Sequence, residues 1–198
     1  MFTSVFRILT ATVVVGIALA PGAASAAMLR PAAPTYFLSN TPAGGDPDTT
    51  VTFTVTTGAL SMTAPGSANL ASAAPGGTAS GLLGAVTVTD DRALLTAAWT
   101  VTAAATNWTR VGGTGGPQEI VPASGATYDP GDITTVGTIT VAADTTPPIA
   151  LSNAAVAVVD GTAGVGDNSA TWNPTIAVAI PADTVGGDYT GTLTQSVA

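Results

Sequence analysis

The sequence predicts an all-β protein, an antiparallel β-sandwich of immunoglobulin-like general architecture, and three observations predict it. First, valine and threonine alternate through much of the chain, as in Thr50-Val51-Thr52-Phe53-Thr54-Val55-Thr56. Successive side chains of a strand point to opposite faces, so this pattern gives one apolar and one polar face. Second, the alternating runs are short and separated by turn-forming clusters such as Pro65-Gly66 and Pro75-Gly76-Gly77. Third, no stretch holds a helical period, and β-branched residues, stiff at χ1, fit a pleated surface better than a helix. About eight to ten short strands with turn signals between them suit a sandwich, with a closed barrel as the alternative. No repeat at a fixed period suggests a solenoid.

The chain opens on a segment that reads as a processing signal. Arg7 supplies a positive start, residues 8–20 are apolar and uncharged, and Pro21-Gly22 breaks the run. Ala24-Ser25-Ala26 then places small residues where a signal peptidase reads them, so cleavage is expected after Ala26. As a helix the apolar run would span only about 20 Å, against roughly 30 Å of hydrocarbon core. Residues 27–48 are rich in Pro, Ala and Gly and read as a lead-in, with Tyr36-Phe37-Leu38 expected to pair at an edge.

The sandwich domain is expected over residues 49–198. Its first strand puts Val51, Phe53 and Val55 on one face, and a second occupies residues 59–63. Residues 83–89 form the next, with Val86 and Val88 inward. An Asp90-Asp91-Arg92 corner leads into a central strand whose Leu95, Ala97, Trp99, Val101 and Ala103 share a face. A glycine-rich loop, residues 112–117, precedes the second half. Strands are expected there over 133–141, 154–159, 175–180 and 189–195, the last with Tyr189, Gly191 and Leu193 on one face.

Charge and residue types bound the function. The formal net charge is −8, one unit more negative without Arg7, and lysine is absent. An acidic chain without a basic patch suits neither nucleic acid nor an anionic membrane, and it meets anionic wall polymers only through bridging cations. With no cysteine, export brings no disulfide, and the apolar core must suffice. Beyond the leader no run is apolar enough to span a membrane, so no span is expected after cleavage.

Most catalytic kits fail for want of residues. Without His or Cys there is no Ser-His-Asp triad, no thiol nucleophile and no His- or Cys-ligated zinc; without Lys there is no Walker A loop. The glycine runs near Gly112 and Gly161 lack dinucleotide-binding spacing and read as loops. The carboxylates Asp90, Asp91, Glu119 and Asp129 could serve a glycosidase only as a pair at a set distance, and turn aspartates are the ordinary explanation. The expectation is no enzyme, no catalytic residue and no cofactor. Oxygen ligands at Asp46-Pro47-Asp48 and over residues 160–168 are of the kind calcium uses, but without EF-hand spacing they read as turns. Trp99 shares the parity of Val101 and is expected in the core. Trp108, beside polar Asn107 and Thr109 and just before the glycine loop, is the tryptophan expected to meet a sugar or a protein. The Asp90-Asp91-Arg92 corner is the second candidate contact.

Several motifs carry a family resemblance. They are Gly58-Ala59-Leu60, then Gly84-Ala85-Val86-Thr87-Val88-Thr89-Asp90 with Arg92 after it, and Trp99-Thr100-Val101. Ile180-Pro181-Ala182-Asp183 follows, leading into Gly187-Asp188-Tyr189-Thr190-Gly191-Thr192-Leu193. On these the chain resembles the WxL-domain proteins, cell-surface proteins of Gram-positive bacteria. Trp99 and Val101 stand at the first W-x-L and Tyr189 and Leu193 in the closing motif. The resemblance implies a secreted, non-catalytic protein held non-covalently at the cell surface, with peptidoglycan or another envelope component as partner. The chain departs from the pattern twice: Val101 replaces the usual leucine, and Gln195-Ser196-Val197 stands where a second W-x-L is usual. The closing motif also resembles the last strands of pilin and coat subunits, which makes a structural assembly subunit or adhesin the alternative function. No free donor strand is evident in the sequence.

Overall fold

A computed structural model describes residues 49–198; the leader, the lead-in with Tyr36-Phe37-Leu38, and Asp46 and Asp48 lie outside the described residues. The strands, in chain order, are β1 (Leu60–Thr63), β2 (Thr78–Leu82), β3 (Val86–Ala105), β4 (Trp108–Arg110), β5 (Ile120–Val121), β6 (Ala126–Asp129) and β7 (Ile133–Val136). They continue with β8 (Thr140–Ala143), β9 (Ile149–Ala150), β10 (Val156–Trp172), β11 (Thr175–Ala179), β12 (Tyr189–Thr190) and β13 (Leu193–Val197). Every pairing among them is antiparallel. The first sheet has the order β1-β3-β10-β7, with β13 also on β3 and β8 also on β10; the second is β2-β11-β6-β9, and a small third is β12-β4-β5. The protein is all-β and multi-sheeted, sandwich-like in general plan.

One core joins the sheets. Val86, Val88, Trp99, Val101 and Trp172 come from the first sheet, and Tyr128, Ile176 and Val178 from the second. A buried hydrogen-bond chain crosses between them: Trp172 Nε1 donates to the Tyr128 hydroxyl at 2.7 Å, and that hydroxyl donates to Gln195 Oε1 at 3.1 Å. Both polar handles of the aromatic pair are thus satisfied out of water. Burial pushes the Tyr128 hydroxyl up to about 12.

The two long strands depart from the sequence expectation. β3 runs unbroken from Val86 to Ala105, through the expected Asp90-Asp91-Arg92 corner. Its two halves differ in partner on one side: β1 pairs with its start and β13 with its end. The join is irregular. Ala93 has a left-handed φ of 52°, and the register with β10 slips repeatedly between Gly161 and Asn168. That irregularity switches the parity, from Val86, Val88 and Asp90 buried before it to Ala97, Trp99, Val101 and Ala103 buried after it, and Leu95, beside the break, is 79% exposed. β10 likewise contains the Gly161 region expected as a loop, and Asp160 stands within a strand rather than in a ligand loop.

Glycine at 161 has a packing reason. It lies opposite Trp99 in register, and a Cβ there would overlap the indole ring. A ring can lie flat on its neighbouring strand only where that strand has no side chain.

Elsewhere the boundaries shift. The expected strand over 133–141 is two, β7 and β8, broken by Gly137 at φ 94°. The expected strand over 189–195 splits between sheets, with Tyr189 in β12 and Leu193 in β13. The expected first strand does not form among the described residues: residues 49–57 have no ladder there, and Val51, Phe53 and Val55 are 80%, 83% and 71% exposed. Alternation makes a segment competent for a sheet, and only a partner edge makes it a strand.

Candidate functional site

A cleft of about 650 Å3 lies beside the small third sheet. β4 carries Trp108 between β12 and β5, in register with Val121 on one side, while its Thr109 and Arg110 face Thr190 and Tyr189. Trp108 is half-buried, and Gly191 sits close over its pyrrole edge, where a Cβ would overlap it. Val178 and Ile180 line the apolar part, residues 66–73 form the facing wall, and residues 184–191 form the rim. The Tyr189 hydroxyl donates to the Val185 carbonyl at 2.7 Å, which fixes that rim against the third sheet.

One polar atom in this wall is unspent. The Thr184 hydroxyl is buried and has no hydrogen-bond partner among the described residues, and Thr184 is 7% exposed. A buried hydroxyl without a partner costs free energy. Mixed aromatic, apolar and polar walls are the usual makeup of a small-ligand site.

Arg110 of β4 pairs with Glu119, which the sequence offered only as a candidate carboxylate, and the pair braces the rim at Gly186. Glu119 Oε2 accepts the backbone N–H groups of Thr114, Gly115 and Gly116 at 2.6, 2.9 and 3.2 Å, and the Thr114 hydroxyl at 3.0 Å. Its Oε1 meets Arg110 Nη1 at 3.1 Å, and Arg110 Nε donates to the Gly186 carbonyl at 2.9 Å. The glycine loop is therefore a cradle of N–H donors closed on its own glutamate. A repeated Gly pattern followed by a lone Glu was the available signal, but sequence cannot say that the acid folds back.

These bonds hold the Glu119 carboxyl at about 2, the Gly116 N–H first among the causes. Its contribution is complete above the ordinary glutamate value of 4.5 and is lost as pH falls through about 2. Amide exchange at Thr114, Gly115 and Gly116 should stay protected through the usual glutamate range and open only near that value. In Glu119→Gln the protection should be weaker and show no such step.

The Asp90-Asp91-Arg92 candidates lie apart from this cleft. Asp90 is fully buried, and Arg92 clasps it: Nε meets Oδ1 at 2.8 Å, and Nη2 meets Oδ2 at 2.7 Å. The same Nη2 donates to the Ala98 carbonyl at 2.9 Å. The guanidinium beside Asp90 holds its carboxyl below the usual carboxylate range, and the Arg92 pKa rises in return. Neither group is free to meet a partner, because each already spends its charge on the other across the irregular middle of β3. Asp91 alone is exposed, and its backbone pairs with Gly58 and Ala59.

The remaining motif residues belong to the fold. Trp99 is 4% exposed and Val101 fully buried. Val101 faces Val197 across the β3–β13 ladder, so Trp99-Thr100-Val101 and Gln195-Ser196-Val197 lie on neighbouring strands. Leu193 packs against the core from the start of β13, and Tyr189 does so from the third sheet. Asp129 Oδ1 accepts the Gly131 N–H at 3.0 Å in a local turn. Among the described residues no three His, Cys, Asp or Glu side chains gather as metal ligands, and no helix is long and apolar enough to cross a membrane.

Comparison with protein-family models, curated proteins and solved structures found no match. The resemblance to WxL-domain proteins therefore rests on the motif residues themselves.

Proposed function

We propose that this chain is a secreted, non-catalytic cell-surface protein, a divergent relative of the WxL-domain proteins with an immunoglobulin-like sandwich, that associates non-covalently with peptidoglycan. The observation that carries the reading is the Trp108 cleft, in which a half-buried indole stands with apolar and polar walls. A sugar ring offers the matching surface, with an apolar face for the indole and hydroxyls for polar lining residues such as Asn69 and Asp188. The acidic charge favours a neutral stretch of glycan over an anionic polymer. A non-catalytic role is supported by the lack of His, Cys and Lys and by the occupation of Asp90 and Glu119 in structural bonds.

The test is co-sedimentation of the purified protein with peptidoglycan sacculi. The protein should pellet with the wall, and Trp108→Ala should reduce the bound fraction at least tenfold while leaving the unfolding midpoint within a few degrees. Protein that stays in the supernatant at all wall concentrations would overturn the proposal.

A further inference from the structure

The unpaired segment at residues 49–57 carries an inference independent of the wall-binding proposal. Its sequence, Thr49-Thr50-Val51-Thr52-Phe53-Thr54-Val55-Thr56-Thr57, reads the same in both directions about Phe53. All of these residues are exposed, and among the described residues their backbone makes no hydrogen bond. The composition is that of a strand, with β-branched and aromatic residues at every position. Three large apolar side chains on one face of an unpaired strand form a template for another strand.

We infer that this segment pairs antiparallel with the same segment of a second copy of this chain, about a two-fold axis through Phe53. The palindrome makes the partner identifiable. In that register Phe53 faces Phe53, Val51 faces Val55, and Thr52 faces Thr54. All six apolar side chains then share one face, flanked by Thr49 and Thr57, and Thr50, Thr52, Thr54 and Thr56 share the other. Aromatic pairs and threonine pairs directly opposite one another are favourable cross-strand contacts. A slip by one residue would set apolar against polar on both faces, and a slip by two keeps the faces but loses the Phe53–Phe53 pair and shortens the ladder, so the symmetric register is favoured. The contact is isologous and closes on itself, giving a dimer rather than a fibre. A two-stranded ribbon is small beside a standard interface of about 1,600 Å2, so the dimer is weak and concentration-dependent.

The chain has no cysteine, which allows a register test on the full chain by oxidative cross-linking. A disulfide needs Cα atoms within about 7 Å, and residues four apart along a strand are about 13 Å away. Phe53→Cys should therefore cross-link to itself, whereas Val51→Cys alone and Val55→Cys alone should not. A mixture of those two variants should give the mixed dimer. In sedimentation equilibrium the unmodified protein should shift toward dimer mass as concentration rises, and Phe53→Lys, which sets like charges opposite one another, should remove the shift. Equal cross-linking of Val51→Cys and Phe53→Cys would overturn the symmetric register. A wild-type monomer throughout, as when the segment pairs within its own chain, would overturn the dimer. So would an association that Phe53→Lys leaves unchanged.

Discussion

Trp99→Ala is expected to lower the unfolding free energy by about 3–5 kcal/mol, the usual cost of emptying a buried tryptophan site. The indole is 4% exposed and lies flat on Gly161 of the paired strand, so neither side can close the space without moving a ladder. Against a typical total of about 5–15 kcal/mol this is a large share. Urea unfolding at neutral pH should show the midpoint falling with little change in slope. The reciprocal change, Gly161→Ala, should cost about 1–3 kcal/mol through overpacking. If the ring and the glycine form one packing unit, Trp99→Leu should offset part of that cost, and a double-mutant cycle would measure the coupling. Independent, additive losses would show that the two are not in contact. For wall binding the consequence is practical. Loss of binding in Trp99→Ala would report loss of fold, which is why Trp108 is the informative position.

Arg92→Met is expected to cost about 3–5 kcal/mol at neutral pH, because it leaves the Asp90 carboxylate buried without its counter-ion. The Ala98 carbonyl loses its donor as well. The pH dependence has a definite sign. In the wild type the Asp90 carboxyl is held below its ordinary value of 3.8, so its contribution is complete above that value and is lost as pH falls through the folded value. In Arg92→Met the guanidinium is gone and only the backbone N–H of residue 92 still favours the charged form, so the carboxyl rises relative to the wild type and acid neutralises the stranded charge more readily. The gap between variant and wild type should therefore narrow as pH falls. Asp90→Asn combined with Arg92→Met should recover part of the loss at neutral pH, since no buried charge remains. A gap that stays constant from neutral pH to acid would show that the ion pair is not its source.

How much was legible follows from the kind of signal each element carries. Val86, Val88, Val101 and Ala103 alternate with threonines and lie buried, because side-chain parity is a local property of an extended chain. The left-handed turn at Ala93 resets the phase, so buried even positions through Asp90 give way to buried odd positions from Ala97, and Leu95 is exposed in the irregular ladder between them. No residue type at that position announces such a turn, since alanine seldom adopts it. The Gly161 region read as a loop because glycine is a breaker in isolation, yet the ring of Trp99 requires glycine within a strand there.

The cleft shows the same division. Trp108 stood out because an indole beside polar residues suits a binding surface, and it lies in the cleft wall. Thr184 and Tyr189 were not read as parts of its lining. They lie far from Trp108 in sequence and meet it only through the β12-β4-β5 sheet and its loops. Asp90 and Arg92 looked like a charged corner fit for a partner, and burial turned them into an internal clasp.

By itself the sequence determined that the chain forms β-strands, that its charge is acidic, and that it lacks the residues of the common catalytic kits, since composition and periodicity are properties of the chain alone. Tertiary structure decided which alternating segments became strands. Residues 60–63 found the edge of β3 and residues 49–57, with cleaner alternation, found none among the described residues. It also decided which polar groups remained unspent. The physical reason is common to both: a strand needs a neighbour for its backbone and a buried charge needs a partner for its field, and neighbours are supplied by the fold.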